Sequence, residues 1–395
     1  MSNFRISRQI DLPDEMRVAR ARALPNLGAR MLFFSGGSAL NSTARALKSY
    51  THNSTHLITP FDSGGSSQVL REAFDMPAVG DLRSRLMALA DETVLGQPDI
   101  FRLFSHRLPQ KAEAAALEAE YQSLLSGTHA LVKAISQPMR DLILTQLAAF
   151  EGLRPKSFDF RRASVGNLIL AGGYFSYGRA LEPVLFLMSK MVEVQGTVRT
   201  IVDANLQIAA DLADGTRVVG QREISGKENT PLSQRIERLH LFKDGKIIPP
   251  QDCPLPKRNR KLIESADLIC YAPGSLYSSV IANLLPKGVG QAVANRDVPK
   301  IYVPSLGPDP ECVGMGLCDQ VAALLVALRE DAGDDFPSDR LISGVLCDET
   351  AVPKPMRQRI EECHGVPCLA TNLCDNQSAL HYEPHALCKA LVSFT

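Results

Sequence analysis

Three times along this chain a short apolar run ends in a cluster of glycine and serine and passes at once into a helix-like pattern. Ala29–Ser35 (ARMLFFS) meets Gly36-Gly37-Ser38 and then ALNSTARALKSY; Thr55–Phe61 (THLITPF) meets Asp62-Ser63-Gly64-Gly65-Ser66-Ser67; Ala266–Pro273 (ADLICYAP) meets Gly274-Ser275-Leu276-Tyr277-Ser278-Ser279. Strand, small-residue loop, helix, repeated, is the grammar of an α/β domain built on a parallel sheet. In such a sheet these loops leave the carboxyl ends of the strands, the edge at which open α/β folds bind ligands.

The loop chemistry narrows the guest. Glycine lets backbone amides approach a ligand closely, and a helix N-terminus adds unpaired N–H donors with a partial positive charge, so phosphate is the natural partner. Serine hydroxyls add donors. None of the loops carries a G-x-x-x-x-G-K-[ST] or a strict G-x-G-x-x-G pattern, so the loops alone do not name the ligand. Asp62 is the odd member. A carboxylate beside phosphate is repelled unless a cation lies between them, and magnesium held by one or two carboxylates plus phosphate oxygens is a common solution. The competing reading is a helix-capping aspartate. Asp81, in VGDLRSRL, carries the same two readings, and Arg71 and Arg83 read either as phosphate clamps or as partners of surface acids.

The remaining chain sets the frame. Ala266 begins a second stretch of the same grammar, in which KIYVPSL, RLISGVL and VPCLATNL read as further buried strands. Between the two stretches, Phe101–Phe150 is rich in Ala, Leu, Glu and Gln, and Leu117, Tyr121, Leu124 and Leu125 share one helical face. Asp214-Gly215 within Leu206–Ile224 predicts a β-hairpin, with Asp244-Gly245 a weaker repeat of the signal. The expected organisation is a lead-in (1–30), a first half of the core (31–100), a helical insertion (101–165) and a second half with the hairpin (166–395). The expected fold is α/β, a Rossmann-like three-layer arrangement with a mainly parallel sheet.

Lys+Arg and Asp+Glu balance at 43 each, so no whole-chain charge draws the protein to nucleic acid or an anionic membrane. KRNRK at Lys257–Lys261 is expected to be a solvated helix start. The charged beginning MSNFRISRQIDLPDE, the lack of a long apolar run and nine scattered cysteines predict a cytoplasmic protein with reduced thiols. Cys363, His364, Cys368 and Cys374 lack the C-x-x-C spacing of structural zinc sites. Lone histidines such as His56 and His106 are expected to be structural, and no G-x-S-x-G elbow is present.

Taken in order, several blocks resemble the 2-phospho-L-lactate transferase (CofD-like) family and the related YvcK-type gluconeogenesis factors. FSGGSAL at Phe34–Leu40 is similar to the family's GGTG loop, and ITPFDSGGSSQVLR to its T-V-x-D-D-G-G-S-S-G-x-L-R segment. Pro77–Asp91 resembles its P-P-G-D-x-R block, VGNLILAG at Val165–Gly172 its L-G-N-L helix, and Ala266–Leu285 its A-D-x-I-x-x-G-P-G-S-L-Y-T-S-I block. The resemblance implies a Rossmann-like fold holding a phosphate-bearing, nucleotide-type ligand in one cleft. In one branch a phospholactyl group passes, with magnesium assistance, to a deazaflavin hydroxyl; in the other the cleft binds nucleotide sugars and no reaction need follow.

Carried over residue by residue, the resemblance implies that Gly36, Gly37 and Ser38 face phosphate. Asp62 becomes the catalytic, metal-side acid, and Gly64, Gly65, Ser66 and Ser67 the donor loop. Asn167 reaches the ligand from a helix, and Gly274, Ser275 and Ser278 complete the pocket. The expected partners are this small molecule and possible further copies of the chain, with no nucleic acid and no membrane. The departures are specific. The family's paired acids are reduced to Asp62 followed by Ser63, Ala39 replaces the last glycine of GGTG, and Q-P-G-E-T becomes Gly307-Pro308-Asp309-Pro310-Glu311. Losing one of two adjacent carboxylates weakens a two-acid Mg²⁺ site and speaks against a deazaflavin acceptor.

Overall fold

The computed structural model describes residues 9–93, 96–226, 231–375 and 378–395; the first eight residues of the expected lead-in lie outside them. In chain order the strands that frame the site are β1 (Met31–Ser35), β2 (Thr55–Ile58), β3 (Thr197–Thr200), β4 (Gln207–Leu212), β5 (Arg217–Val219), β6 (Ile236–Lys243), β7 (Lys246–Ile248), β8 (Leu268–Tyr271), β9 (Lys300–Tyr302), β10 (Gly344–Asp348) and β11 (Cys368–Thr371). Seven of them form one sheet in the order β11-β10-β9-β8-β1-β2-β3, with every neighbouring pair parallel. β5-β4-β6-β7 form a separate antiparallel sheet, whose turns fall at the expected Asp-Gly pairs.

The apolar runs become central strands because both faces of the sheet are covered. Every residue of β1, β2 and β8 is buried. Alternate β1 side chains go to opposite layers: Leu32 and Phe34 join the cluster that also contains Ile208, Leu239 and Val321, while Met31 and Phe33 join Leu387 and Leu391 on the other face. Each such side chain contributes about 1.5–3 kcal/mol on leaving water, so β1 is fixed in register from both sides. The helix Glu15–Ala23 and the helix Pro384–Ser393 pack together on the Met31/Phe33 face, tied by the Asp14 amide donating to Ser393 Oγ at 2.7 Å.

A third cluster joins Ile58 and Val198 of the sheet to the helices Pro98–Ser105, Ala114–Leu125, Met139–Leu153 and Val165–Ser176. Leu117, Tyr121 and Leu124 are buried there as the helical spacing predicts. β3 was not foreseen from the sequence: TVRT has no apolar run, and its alternating half-buried pattern is that of an edge strand. The Lys257–Lys261 run does begin a helix (Lys257–Ser265), but Asn259 within it is buried and donates to the Thr200 and Ile201 carbonyls. No helix among the described residues is long and apolar enough to cross a membrane.

The topology positions the site. From β1 the chain steps to β2 on one side, while β8 lies on the other. The loops after β1 and β8 therefore diverge over the strand ends, leaving the crevice expected at a switch point of an open parallel sheet.

Candidate functional site

The loop after β1 is shaped from below. Arg85, fully buried, donates from Nη2 to the Gly37 carbonyl at 2.9 Å and the Gly36 carbonyl at 3.3 Å. Its Nε donates to Asn41 Oδ1 at 3.0 Å and its Nη1 to His56 Nδ1 at 2.9 Å. Burial lowers the Arg85 pKa to about 10, with Asp81 opposing the shift, so the guanidinium stays charged at neutral pH. Because a trans peptide points its C=O and N–H in opposite directions, carbonyls of Gly36 and Gly37 aimed down at Arg85 aim the amides of Gly37 and Ser38 up. Among the described residues neither amide donates to a backbone carbonyl, and both belong to residues that line the crevice with Asp81. Gly36 and Gly37 are needed for close approach: a Cβ on Gly36 would lie 2.3 Å from Ser279 Oγ, and one on Gly37 2.1 Å from Asp81 Oδ1.

Those contacts define a small polar pocket of about 180 Å³, lined by Gly36, Gly37, Ser38, Asp62, Asp81, Gln221, Gly274, Ser275 and Ser279. It shares Ala39, Pro273, Gly274 and Ser275 with an adjoining pocket of about 350 Å³ that extends past Ser305, Asp309 and His381. Together they have the size range of a small-molecule site. Another cavity, of about 330 Å³, opens beside edge strand β3, but it shares no residue with the three loops.

Asp62 faces the pocket and does not cap a helix. Its Oδ1 accepts from the Gly64 amide at 3.0 Å, turning the loop, while the helix Gly65–Phe74 begins after Gly64 with no side-chain cap. Arg71 anchors this turn by donating to the Asp62 carbonyl at 3.2 Å and the Leu206 carbonyl at 2.7 Å, so it is a backbone clamp and not a phosphate ligand. Asp81 lies in the first turn of the helix Gly80–Leu89, whose N-cap is Val79. The second acid that sequence comparison found missing beside Asp62 is thus supplied from 19 positions along the chain, on another helix, in the same pocket. Its signals were the ambiguous VGDLRSRL context and the likeness of Pro77–Asp91 to the P-P-G-D-x-R block. Gln221 had no signal; it begins the helix Gln221–Ser225, docked by the Arg222 amide donating to Ser63 Oγ at 2.9 Å.

Of the expected site residues, Gly36, Gly37, Ser38, Asp62, Gly274 and Ser275 meet in the crevice, and Gly64 and Gly65 lie on the turn beside Asp62. Four expectations need correction. Asn167 is buried, donating to Ser66 Oγ at 2.7 Å and accepting from Arg83 Nε at 2.9 Å, so it braces helices and ties Ser66 to that brace. Ser67 is buried with its hydroxyl accepting the Gly80 amide at 3.2 Å. Ser278 is buried, and both its amide and its hydroxyl donate to Glu311. Arg83 also donates to the Phe104 carbonyl, completing a buried brace in which burial lowers its pKa to about 10.

The third loop differs most from expectation. Its amides already have anionic or hydroxyl acceptors within the chain: Leu276 N–H meets Asp309 Oδ2 at 2.7 Å, Tyr277 and Ser278 N–H meet Glu311 Oε2 at 3.0 and 2.8 Å, and Gly274 N–H meets Ser305 Oγ at 3.1 Å. Glu311 is completely buried. Asp309 and Glu311, in the segment that departs from Q-P-G-E-T, therefore neutralise this turn. Neither Asp309 nor Glu311 takes an amide of the first loop among the described residues.

Comparison with known proteins agrees with this architecture. A model of the family 2-phospho-L-lactate transferase CofD matches residues 31–380, from β1 to Leu380. A "Putative gluconeogenesis factor" from Nostoc sp. is 30% identical over 307 residues, covering 77% of this chain and 53% of that protein, so the chain spans about half its length. The "Gluconeogenesis factor" of Bacillus subtilis is 28% identical over 333 residues, 84% of this chain and 82% of the relative. The crystal structure of a UPF0052 family member from Bacillus halodurans superposes with a TM-score of 0.66 at 23% identity, covering 92% of this chain and 99% of that one, and shares the fold. A family match that runs from the first loop of the crevice through both acids to its far wall leaves one conclusion: the chain belongs to the 2-phospho-L-lactate transferase CofD family.

Proposed function

We propose that the chain binds a phosphate-bearing, nucleotide-type ligand in the crevice between the β1 and β8 loops. We further propose that it transfers a phosphate-linked group of that ligand to an acceptor hydroxyl. The observation that carries this reading is the convergence of the Gly37 and Ser38 loop, whose amides donate to no backbone carbonyl among the described residues, with two carboxylates, Asp62 and Asp81, in one pocket. Two acids facing amide donors suit an anion only with a cation between them, and the oxygen donor set fits Mg²⁺. Bound there, magnesium would neutralise phosphate charge developing during transfer. The chain's own part is positioning: the amides orient phosphate oxygens, Arg85 holds the loop rigid and Gly36 and Gly37 keep the wall thin. Such transfer needs no covalent nucleophile from the protein.

A second reading, binding of a nucleotide sugar or dinucleotide without turnover, is favoured by the third loop. With its amides held by Asp309 and Glu311, it offers little to a developing negative charge. A thermal-shift screen of nucleoside diphosphates, nucleotide sugars and phospho-acyl nucleotides, each with and without Mg²⁺, followed by product analysis of the stabilising compound, separates the readings. Mg²⁺-strengthened binding with donor consumption supports transfer; binding without consumption supports sensing. Asp62→Asn and Asp81→Asn should each abolish the Mg²⁺ dependence while the fold persists. If neither changed it, the site assignment would fall.

A further inference from the structure

Outside the crevice, one cluster has the chemistry of a metal site. His106 closes the helix Pro98–Ser105, Glu120 lies in the helix Ala114–Leu125, and His129 is the N-cap of the turn Ala130–Lys133. Their ligand atoms lie within 4.8 Å of one another, the sole such His/Cys/Asp/Glu group of three or more among the described residues. His106 Nε2 and Glu120 Oε1 are 2.8 Å apart, and the two imidazole rings sit 5.7 Å apart at 40°. All three residues are half-buried.

We propose that His106, Glu120 and His129 form a binding site for a borderline divalent metal of the zinc class. Two imidazoles and one carboxylate leave a coordination position for water, and this donor set selects Zn²⁺ or Co²⁺ over Mg²⁺, which prefers all-oxygen surroundings. Zinc bonds of about 2.0–2.1 Å place ligand atoms roughly 3–4 Å apart, so the triad closes on an ion through side-chain movements of about an ångström. His106 and Glu120 exchange their mutual hydrogen bond for the ion. His129 Nδ1 now accepts the Leu131 amide at 3.2 Å, a long cap bond with which the metal competes. The three elements thereby become one cross-linked unit. That unit adjoins the interior brace, since the His106 carbonyl accepts the Val165 amide at the start of the helix bearing Asn167. The cysteine-rich region near the C-terminus is a different matter: Cys318 Sγ lies 3.2 Å from His364 Nε2 and also contacts Cys363, but among the described residues these ligand atoms do not all come within 4.8 Å of one another.

The test is titration of the full chain, stripped with chelator, using Zn²⁺ by calorimetry and Co²⁺ by visible absorption, with Mg²⁺ present in excess to fill oxygen sites. The expected result is one equivalent per chain, a Co²⁺ spectrum of a nitrogen–oxygen site without thiolate charge-transfer bands, and at least a tenfold affinity loss in Glu120→Gln and in His129→Asn. Asparagine retains N-capping ability, so a folded His129→Asn protein isolates the imidazole. A Cys318→Ser, Cys363→Ser double variant should keep the equivalent. The proposal is overturned if no saturable equivalent binds, if folded Glu120→Gln and His129→Asn bind as the parent does, or if the cysteine variant removes the binding.

Discussion

Replacing Gly37 with alanine tests the crevice at its narrowest wall. The backbone there has φ −78° and ψ −111°, and the added methyl group acts first through space. The new Cβ would lie 2.1 Å from Asp81 Oδ1, 2.7 Å from its Cγ and 2.9 Å from its Oδ2, whereas ordinary contact begins near 3.4 Å. The carboxylate must therefore retreat by roughly 1.3 Å or the loop must lift off Arg85 by a similar amount. Rotating a partly solvated side chain is the cheaper course and should cost stability only about 1 kcal/mol. Binding should suffer more. Mg²⁺ demands near-ideal geometry at about 2.0–2.1 Å, and a misplacement of about 1 Å costs on the order of 100-fold, or roughly 2.7 kcal/mol. The assay is ligand affinity with and without Mg²⁺, measured beside thermal unfolding. Gly152→Ala is the control: an added methyl there meets nothing within 4 Å, so it should raise stability by about 0.5–1 kcal/mol and leave binding alone. A folded Gly37→Ala protein with the parent's Mg²⁺-dependent affinity would refute the placement of Asp81 in the site.

Arg85→Met should destabilise by about 3–5 kcal/mol in denaturant melts, because it leaves two loop carbonyls, Asn41 Oδ1 and His56 Nδ1 without their buried donor. Glu311→Gln should cost about 1–3 kcal/mol, since an amide group replaces one oxygen of a carboxylate that accepts two backbone N–H groups and a hydroxyl; an unchanged melting midpoint would show that the third loop does not need that charge. Acid should also destabilise the fold through His56. Burial first, then the charge of Arg85, holds its pKa well below 6.5 in the folded state, while the unfolded chain protonates near 6.5. The unfolded state then binds more protons, so the contribution is intact above about pH 6.5. It falls by up to about 1.4 kcal/mol per pH unit below that until the folded pKa is reached. His56→Gln should flatten that slope in urea melts performed between pH 7 and pH 5.

The parallel sheet was legible because its central strands are fully buried, which forces uninterrupted apolar runs bounded by small residues. β3 was not, because an edge strand needs to bury only alternate residues, and TVRT offers just Val198 and Thr200. The first loop was legible as a crevice wall because Gly36 and Gly37 carry no Cβ where two other segments press against them. What the sequence could not show was which polar groups had partners. Ser67, Asn167 and Ser278 have the composition of ligand donors, yet each is spent on a neighbour distant in the chain, Ser278 on a glutamate 33 positions later. The grouping of His106 with Glu120 and His129 was hidden likewise, its members belonging to three elements with no fixed spacing.

The two walls of the crevice are knitted together by Asn283, whose Nδ2 donates both to the Ser35 carbonyl and to the Ser279 carbonyl, a link spanning 248 positions. Neither half of the polypeptide can therefore make the pocket by itself. During synthesis the first loop emerges long before its opposite wall exists, so no guest can template early collapse, and recognition must await completion of the sheet as far as β8. Any compound that occupies the crevice should in turn resist unravelling of both halves at once, making occupancy a reporter of long-range assembly as well as of local shape.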